Sequence, residues 1–111
     1  MNWNLRKLVA RVVTLLAARD YPAVAHLTRC RRLTAAEIGD AISEYGRTLV
    51  DIPVDDLRLN AVRVLNREIP TWSVQCGLVT KEEGRSDLTL ELTLIDDPNG
   101  LIIELDNIRV L

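Results

Sequence analysis

The sequence contains no phenylalanine, and its only aromatic residues are two tryptophans and two tyrosines among 111 residues. It has one histidine and two cysteines, so the side chains that most often bind metals or act as nucleophiles are scarce. It also lacks a glycine-rich phosphate loop, an HExxH motif and a paired CxxC motif, which removes the strongest enzyme signatures. We therefore predict no catalytic residue, no metal site and no cofactor.

Long apolar segments are missing as well. No uninterrupted apolar stretch approaches the ~20 residues that a membrane-spanning helix needs. The first four residues lead into a charged amphipathic segment instead of the apolar core of a signal peptide. Cys30 and Cys76 lie far apart and have no metal-ligand spacing, so we expect both thiols to be reduced. We expect a cytoplasmic protein that neither spans a membrane nor carries a cleaved leader.

Charge is unevenly distributed along the chain, although the net charge is only −2. Residues 1–50 contain eight Lys and Arg against four Asp and Glu, whereas residues 51–111 contain six against twelve, which gives +4 and −6. Nucleic acids bind clustered Lys and Arg, so the acidic half argues against a nucleic-acid partner. It suits a basic protein partner.

The first half of the chain has the periodicity of helices. Residues 4–19 place apolar side chains at intervals of three and four, which predicts an amphipathic helix. Asp20 is a candidate N-cap, and a proline follows it in the first turn of a short second helix. Thr34 and Glu37 have the spacing of a capping box, and Gly46 is a suitable residue to end that third helix.

The second half has the two-residue period of β-strands. Leucines alternate with polar residues from Leu88 to Leu94, and the alternation resumes at Leu101 after an Asp-Asp-Pro-Asn-Gly turn. Two earlier segments, residues 60–66 and 72–78, predict two more strands. We predict an α+β fold in which two to three N-terminal helices pack on a four-stranded antiparallel meander.

The length fits one hydrophobic core. A chain of 111 residues can bury a core without disulfides or a metal, but it is too short for two independent cores. The sequence shows no internal repeat and no flexible linker. We predict a single domain over residues 1–111, with a helical half at 1–50 and a sheet half at 57–111.

Acidic residues of the sheet half are the candidate site. If the leucines face the helices, Glu91, Glu104 and Asp106 point to the opposite face of the sheet. Arg63 and Arg109 are expected close enough to neutralise part of that face. A solvated strand face is the alternative interpretation.

A second acidic group is predicted at the turn that joins the two middle strands. Glu82 and Glu83 precede a glycine there, and a pairing of Arg85 with Asp87 would leave the two glutamates protruding. An ordinary solvated hairpin tip explains the same residues. The full set predicted to meet a basic partner is Glu82, Glu83, Asp87, Glu91 and Glu104.

Other candidate groups are weaker. His26 has no nucleophile at a recognisable spacing and is predicted to be a cap or a half-buried structural residue. Cys30 has arginine neighbours that would lower its pKa if it were exposed, yet we expect no reactive thiol. Four arginines could form a basic patch, but without interleaved aromatic residues loop solvation explains them: Arg29, Arg31, Arg32 and Arg47.

Several short sequence motifs carry a resemblance to a known family. They are WSV at 72–74, GLVT at 77–80, EEGRSDLTLEL at 82–92 and NIRVL at 107–111, with EYGR at 44–47. Through these motifs the sequence resembles a family of short uncharacterised bacterial proteins. The resemblance is close over the last third of the chain and loose over the helical part. The resemblance assigns no catalytic residue. The order of helices before a curved meander also resembles the cystatin-like, nuclear transport factor 2-like architecture.

Small acidic single-domain proteins of this kind resemble bacterial immunity proteins, which cover the basic active site of a cognate toxin. The leading hypothesis is therefore a non-catalytic protein-binding module, of the immunity type, that uses the acidic sheet face. The alternative is a small-molecule-binding or minor enzymatic protein with a pocket between the first helix and the sheet, near Tyr45 and Trp72. A homodimer through an exposed sheet edge is a third hypothesis. Nucleic acid and membrane are not among the expected partners.

Overall fold

The structure, a computed structural model, describes residues 2–29 and 33–111. Three helices come first and four strands follow, as the sequence predicts: α1 (Trp3–Ala17), α2 (Tyr21–Leu27), α3 (Ala35–Tyr45), β1 (Leu59–Arg63), β2 (Thr71–Thr80), β3 (Gly84–Asp97) and β4 (Gly100–Val110). A short 3-10 helix at Val54–Asp56 lies in the connection between the two halves. The fold class is α+β.

Side-chain caps define the helix ends that the sequence predicts. The Asp20 carboxylate accepts from the Ala23 amide at 3.2 Å and caps α2. At α3 both bonds of the capping box are present, because the Thr34 hydroxyl accepts from the Glu37 amide and the Glu37 carboxylate accepts from the Thr34 amide. Gly46 ends α3 in the left-handed region with φ 73°, where a side chain would be strained.

The sheet is an antiparallel meander in the order β1-β2-β3-β4. Strand β1 ends at Arg63, three residues before the predicted end at Asn66. Asn66 has φ 62°, a left-handed conformation that a strand does not accommodate. Strand β3 is longer than predicted and leaves only Pro98 and Asn99 as the turn to β4.

The helices cover one face of the sheet, here called the inner face. Leu88, Leu90, Leu92 and Leu94 point to this face and are buried. They form one cluster with the apolar side chains of the helices, among them Leu5, Val9, Val12, Leu16 and Ile38. Each fully buried leucine stabilises the fold by roughly 1.5–3 kcal/mol relative to exposure. The predicted alternation of β3 is confirmed.

A bulge alters the alternation of β4. The pairing with β3 shifts between Glu91 and Leu92, so that Asn107 lies opposite Glu91 and Asp106 is the extra residue. Ile103 and Leu105 are buried before the bulge, and Ile108 is buried after it. Leu101, predicted to continue the buried series, is 38% exposed beside the turn.

Candidate functional site

The outer face of the sheet, opposite to the helices, carries a hydrogen-bonded group centred on Glu91. Its carboxylate accepts from Arg109 at two points, Oε1 from Nε at 2.7 Å and Oε2 from Nη2 at 3.3 Å. The Gln75 amide donates to the same carboxylate at 3.2 Å. The bonds from Arg109 lower the pKa of Glu91 from its ordinary value, and the pairing raises the pKa of Arg109.

Asp106 supplies a second carboxylate on this face, because it alternates with the buried Leu105 along β4. Asp106 Oδ2 accepts from the Thr93 hydroxyl at 2.7 Å. Thr93 lies opposite Glu104 in the register, so Glu104 belongs to the same face. Asp87 also lies on it, since it alternates with Leu88 along β3. Three of the five predicted partner-binding residues, Asp87, Glu91 and Glu104, thus share one face.

Glu82 and Glu83 lie at the tip of the β2–β3 hairpin, beyond the outer face. The Glu82 carboxylate accepts from the Thr48 amide at 2.8 Å and from its hydroxyl at 2.9 Å. The bond from the Thr48 amide lowers the pKa of Glu82. Glu83 accepts from the Tyr45 hydroxyl at 2.8 Å and from the Thr80 hydroxyl at 3.2 Å. Both glutamates fasten the tip to the end of α3 and the segment after it.

The five predicted residues do not form one compact surface. From Gly84 at the tip to Thr93 beside Glu104, β3 extends about 30 Å, since a strand rises about 3.3 Å per residue. Arg85, expected to pair with Asp87, directs its guanidinium to the Asp56 carbonyl at 3.5 Å. No local sequence signal reveals the tip contacts, because Tyr45 and Glu83 are 38 residues apart.

The two arginines predicted beside the acidic face lie differently. Arg109 lies on it and pairs with Glu91. Arg63 was expected there as well, and this was wrong, because Arg63 lies opposite Trp72 and shares its side of the sheet. Its guanidinium carbon is 5.2 Å from the centroid of the Trp72 ring, within the range of a cation–π contact. Arg109, and not Arg63, therefore neutralises part of the outer face.

One end of the outer face is apolar. Ile95 and Ile102 lie opposite each other there, next to Thr71. Ile69 is 38% exposed and lines the same shallow groove of about 380 Å³. Val62, on the outer side of β1, is 59% exposed. The face thus combines an acidic, hydrogen-bonded centre with an apolar end.

The volume between α1 and the sheet is filled by core side chains, and a polar cleft lies elsewhere in the helical half. This cleft, of about 450 Å³, is lined by Leu16, Ala17, Arg19, Tyr21, Ile42, Ser43, Gly46, Arg47, Thr48 and Leu49. Arg19 and Arg47 are both exposed. Tyr45 lines a separate groove of about 330 Å³ beside β4. Trp72 packs under Arg63.

The remaining candidate groups are scattered. Cys76 is a free, buried thiol, and burial raises its pKa to about 11. His26 is exposed in the last turn of α2, not half-buried. Arg29 lies in a groove beside the β3–β4 turn, whereas Arg47 lines the cleft of the helical half. The other three members of these predictions, Cys30, Arg31 and Arg32, lie outside the described residues.

Within residues 2–29 and 33–111, no helix is long and apolar enough to cross a membrane. In the same part of the chain, no three His, Cys, Asp or Glu side chains come together as a metal site. Comparison with the curated proteins and with the solved structures finds no match. The model of one protein family, described as a domain of unknown function (DUF7668), matches residues 13–111, and the chain belongs to this family.

Proposed function

We propose that the protein is a non-catalytic binding module that uses the outer face of its sheet to dock a basic protein partner. The observation that carries the proposal is the division of the sheet. The inner face is sealed against the helices, with Leu90, Leu92 and Leu94 fully buried. The opposite face presents Glu91 and Glu104 on rigid strands. A pre-organised acidic surface favours a partner with Lys or Arg at matching positions.

The apolar end of the face supports this proposal. Stable interfaces combine an apolar, fully buried centre with a polar rim. Ile69, Ile95 and Ile102 supply exposed or half-buried apolar surface next to the acidic residues. The Glu91 carboxylate is already oriented by Arg109 and Gln75, so it loses little side-chain freedom when a partner binds.

In this proposal the two tip glutamates have a supporting function. Glu82 and Glu83 use their carboxylate oxygens to hold the hairpin against Thr48 and Tyr45. Their charges still add to the negative field that attracts a basic partner. Their direct contribution to the contact is therefore smaller than that of Asp87 or Glu91.

The narrower form of the proposal is an immunity protein of the cytoplasm, which covers the basic site of a toxin domain. Size and charge support it, because residues 51–111 carry a net charge of −6 and the chain has 111 residues. The broader proposal of a protein-binding module does not depend on it.

The proposal is tested with two doubly substituted variants that remove the same number of charges. Asp87→Asn with Glu91→Gln neutralises the outer face, whereas Asp40→Asn with Glu44→Gln neutralises two exposed residues of α3. Each variant and the wild type serve as bait in a lysate of the source cells, and captured proteins are then titrated individually. We expect a basic protein whose Kd rises at least about tenfold for the outer-face variant and stays unchanged for the α3 variant. Equal binding to all three baits contradicts the proposal.

A second candidate function is the binding of a small organic anion in the cleft of the helical half. Arg19 and Arg47 line this cleft together with the hydroxyl-bearing Tyr21, Ser43 and Thr48. We rank it second because the two arginines follow the ends of α1 and α3, where positive charge also stabilises a helix C-terminus.

Thermal unfolding with citrate or inorganic phosphate, at an ionic strength matched with chloride, distinguishes the two functions. Binding in the cleft raises the Tm in proportion to the logarithm of ligand concentration. Arg19→Gln with Arg47→Gln abolishes that rise if the cleft is the site. A Tm that does not respond to either anion contradicts an anion site of this kind.

A further inference from the structure

The two edges of the sheet are protected to different degrees. The edge strand β4 is bulged between Glu91 and Leu92 of its partner and carries Glu104, Asp106 and Arg109. Bulges and charged side chains are the usual devices that prevent an edge from pairing with another strand. Strand β1, at the other edge, has neither a bulge nor a proline, and its first four residues are uncharged.

Two hydrogen bonds determine which backbone groups of β1 face outward. The Gly77 amide donates to the Arg58 carbonyl at 3.3 Å, and the Val64 amide donates to the Thr71 carbonyl at 2.9 Å. In an antiparallel ladder, alternate residues bond to the same neighbour. The amides and carbonyls of Leu59, Ala61 and Arg63 therefore point away from β2. Residues 60–63 are exposed, so this edge is open to a further strand.

We infer that this edge pairs with a second copy of the chain, with the two β1 strands antiparallel about a two-fold axis at Ala61. In that register Ala61 faces Ala61 of the copy, and Leu59 faces Arg63. All three outward residues of each strand are then used, which gives about six backbone hydrogen bonds. A register centred on Arg63 would bring two guanidinium groups together, and other centres leave outward groups unused.

The side chains suit this self-pairing. On the outer face, Val62 lies beside Asn60 of the copy, and no like charges meet across the strands. The Arg63 guanidinium stays over the Trp72 ring of its own chain, so the two arginines of the dimer do not meet at the two-fold axis. The same strand thus supplies both halves of a complementary contact, as a two-fold interface requires.

The dimer is expected to be weak. Pairing through a five-residue strand buries well below the ~1,200 Å² of typical stable interfaces. We therefore expect a dimer Kd on the order of tens of micromolar. The dimer would form a continuous eight-stranded sheet, and the outer faces of the two copies would lie side by side. It does not depend on the proposed basic partner, which meets the face and not the edge.

Sedimentation velocity from about 5 to 500 µM tests the inference. We expect the wild type to change from monomer to dimer over this range. Ala61→Pro removes an amide that points to the open edge, so the monomer keeps its fold while the Kd of the dimer rises at least tenfold. Ala61→Thr keeps the amide and is the matched control, expected to dimerise as the wild type does. A wild type that stays monomeric, or a dimer that persists in Ala61→Pro with native circular dichroism, overturns the inference.

Disulfide trapping decides the result if Ala61→Pro does not fold. In a Cys30→Ser background, Ala61→Cys places two thiols across the axis, where facing Cα atoms are about 5.5 Å apart and can form a disulfide. Asn60→Cys places the introduced thiols off the axis, on the other face of the sheet. Preferential cross-linking of the Ala61→Cys protein at 100 µM supports the pairing. Equal cross-linking of both proteins, or none, overturns it.

Discussion

The two faces of the sheet use the same strands in opposite ways. Inward, β3 presents Leu88, Leu90, Leu92 and Leu94, which lie in one buried cluster with the helices. Outward, it presents Asp87, Glu91 and Thr93, and the latter two are hydrogen-bonded to β4. Backbone geometry alone separates the two sets, because successive side chains point to opposite faces.

The inner face stabilises the fold, and the outer face is the proposed recognition surface. The inner face gains free energy from the burial of apolar area, and each leucine depends on neighbours that cannot move away. The outer face gains little from its ion pair, because the Arg109 side chain is 54% exposed and solvent screens the charges. We therefore expect substitutions on the outer face to leave the fold intact, so that the proposed binding surface can be altered without unfolding the protein.

The largest effect is expected from a substitution on the inner face. Leu92→Ala removes a fully buried side chain and leaves a cavity, and we expect the free energy of unfolding to fall by about 2–5 kcal/mol. Ser73→Ala, on the outer face of β2, should change it by less than about 0.5 kcal/mol. Urea denaturation of both variants measures the difference. Equal losses would mean that the two faces do not differ in packing.

Thiol labelling distinguishes the two faces within strand β2. In a Cys30→Ser background, Cys76 on the inner face reacts only when the fold opens, since it is fully buried and its pKa is raised to about 11. An added Ser73→Cys lies three residues away on the opposite face. We expect it to react with a maleimide at least about a hundredfold faster at pH 7. Comparable rates for the two thiols would contradict a sealed inner face.

The hairpin tip should show an intermediate, local effect. Because Glu83 accepts a hydrogen bond from the neutral phenol, the pKa of Tyr45 is raised above its ordinary value. In a Tyr21→Phe background, absorbance titration should show Tyr45 ionising later than a free tyrosine, and Glu83→Gln should bring its pKa back down. Glu82→Gln, which removes the neighbouring carboxylate, is the control and should leave the phenol nearly unchanged. The same response to both substitutions would contradict the tip geometry.

The smallest expected effect is the pH dependence of the outer ion pair. The pKa of Glu91 is lowered in the folded protein by Arg109. Its stabilising contribution is therefore complete above the unfolded pKa of about 4.3 and is lost as the pH falls through the folded value. We expect this contribution to stay below about 1 kcal/mol, because the pair is largely solvent-screened. Between pH 7 and pH 3, the free energy of unfolding of Glu91→Gln should depend less on pH than that of Glu44→Gln. The same pH dependence in both variants would mean that the ion pair contributes no stability.

Local signals predicted most of the fold. Three predictions used only residues a few positions apart: the capping box at Thr34, the N-cap at Asp20 and the leucine alternation of β3. The structure confirms each of them. The class and the order of elements follow from these periodicities. The predicted end of β1 was wrong because a single left-handed residue, Asn66, ends a strand without altering its composition.

The candidate site was predictable only in part. Alternation predicted Glu91, Glu104 and Asp106 on one face, and the structure agrees. It could not show that Glu82 and Glu83 bond to Thr48 and Tyr45, since those contacts join residues 34 and 38 positions apart. The face on which Arg63 lies depends on the register of β1, and a shift of one residue reverses every side chain.

Local sequence signals were enough to predict most of the helical and extended residues and the apolar strand positions, because caps, turns and alternation act over a few residues of backbone. Long-range packing set the contacts by which the tip glutamates hold the hairpin, the bulge that puts Asn107 opposite Glu91, and the open edge of β1. These features depend on how distant segments are placed in space. Burial of the common core sets that placement, and no local interaction encodes it.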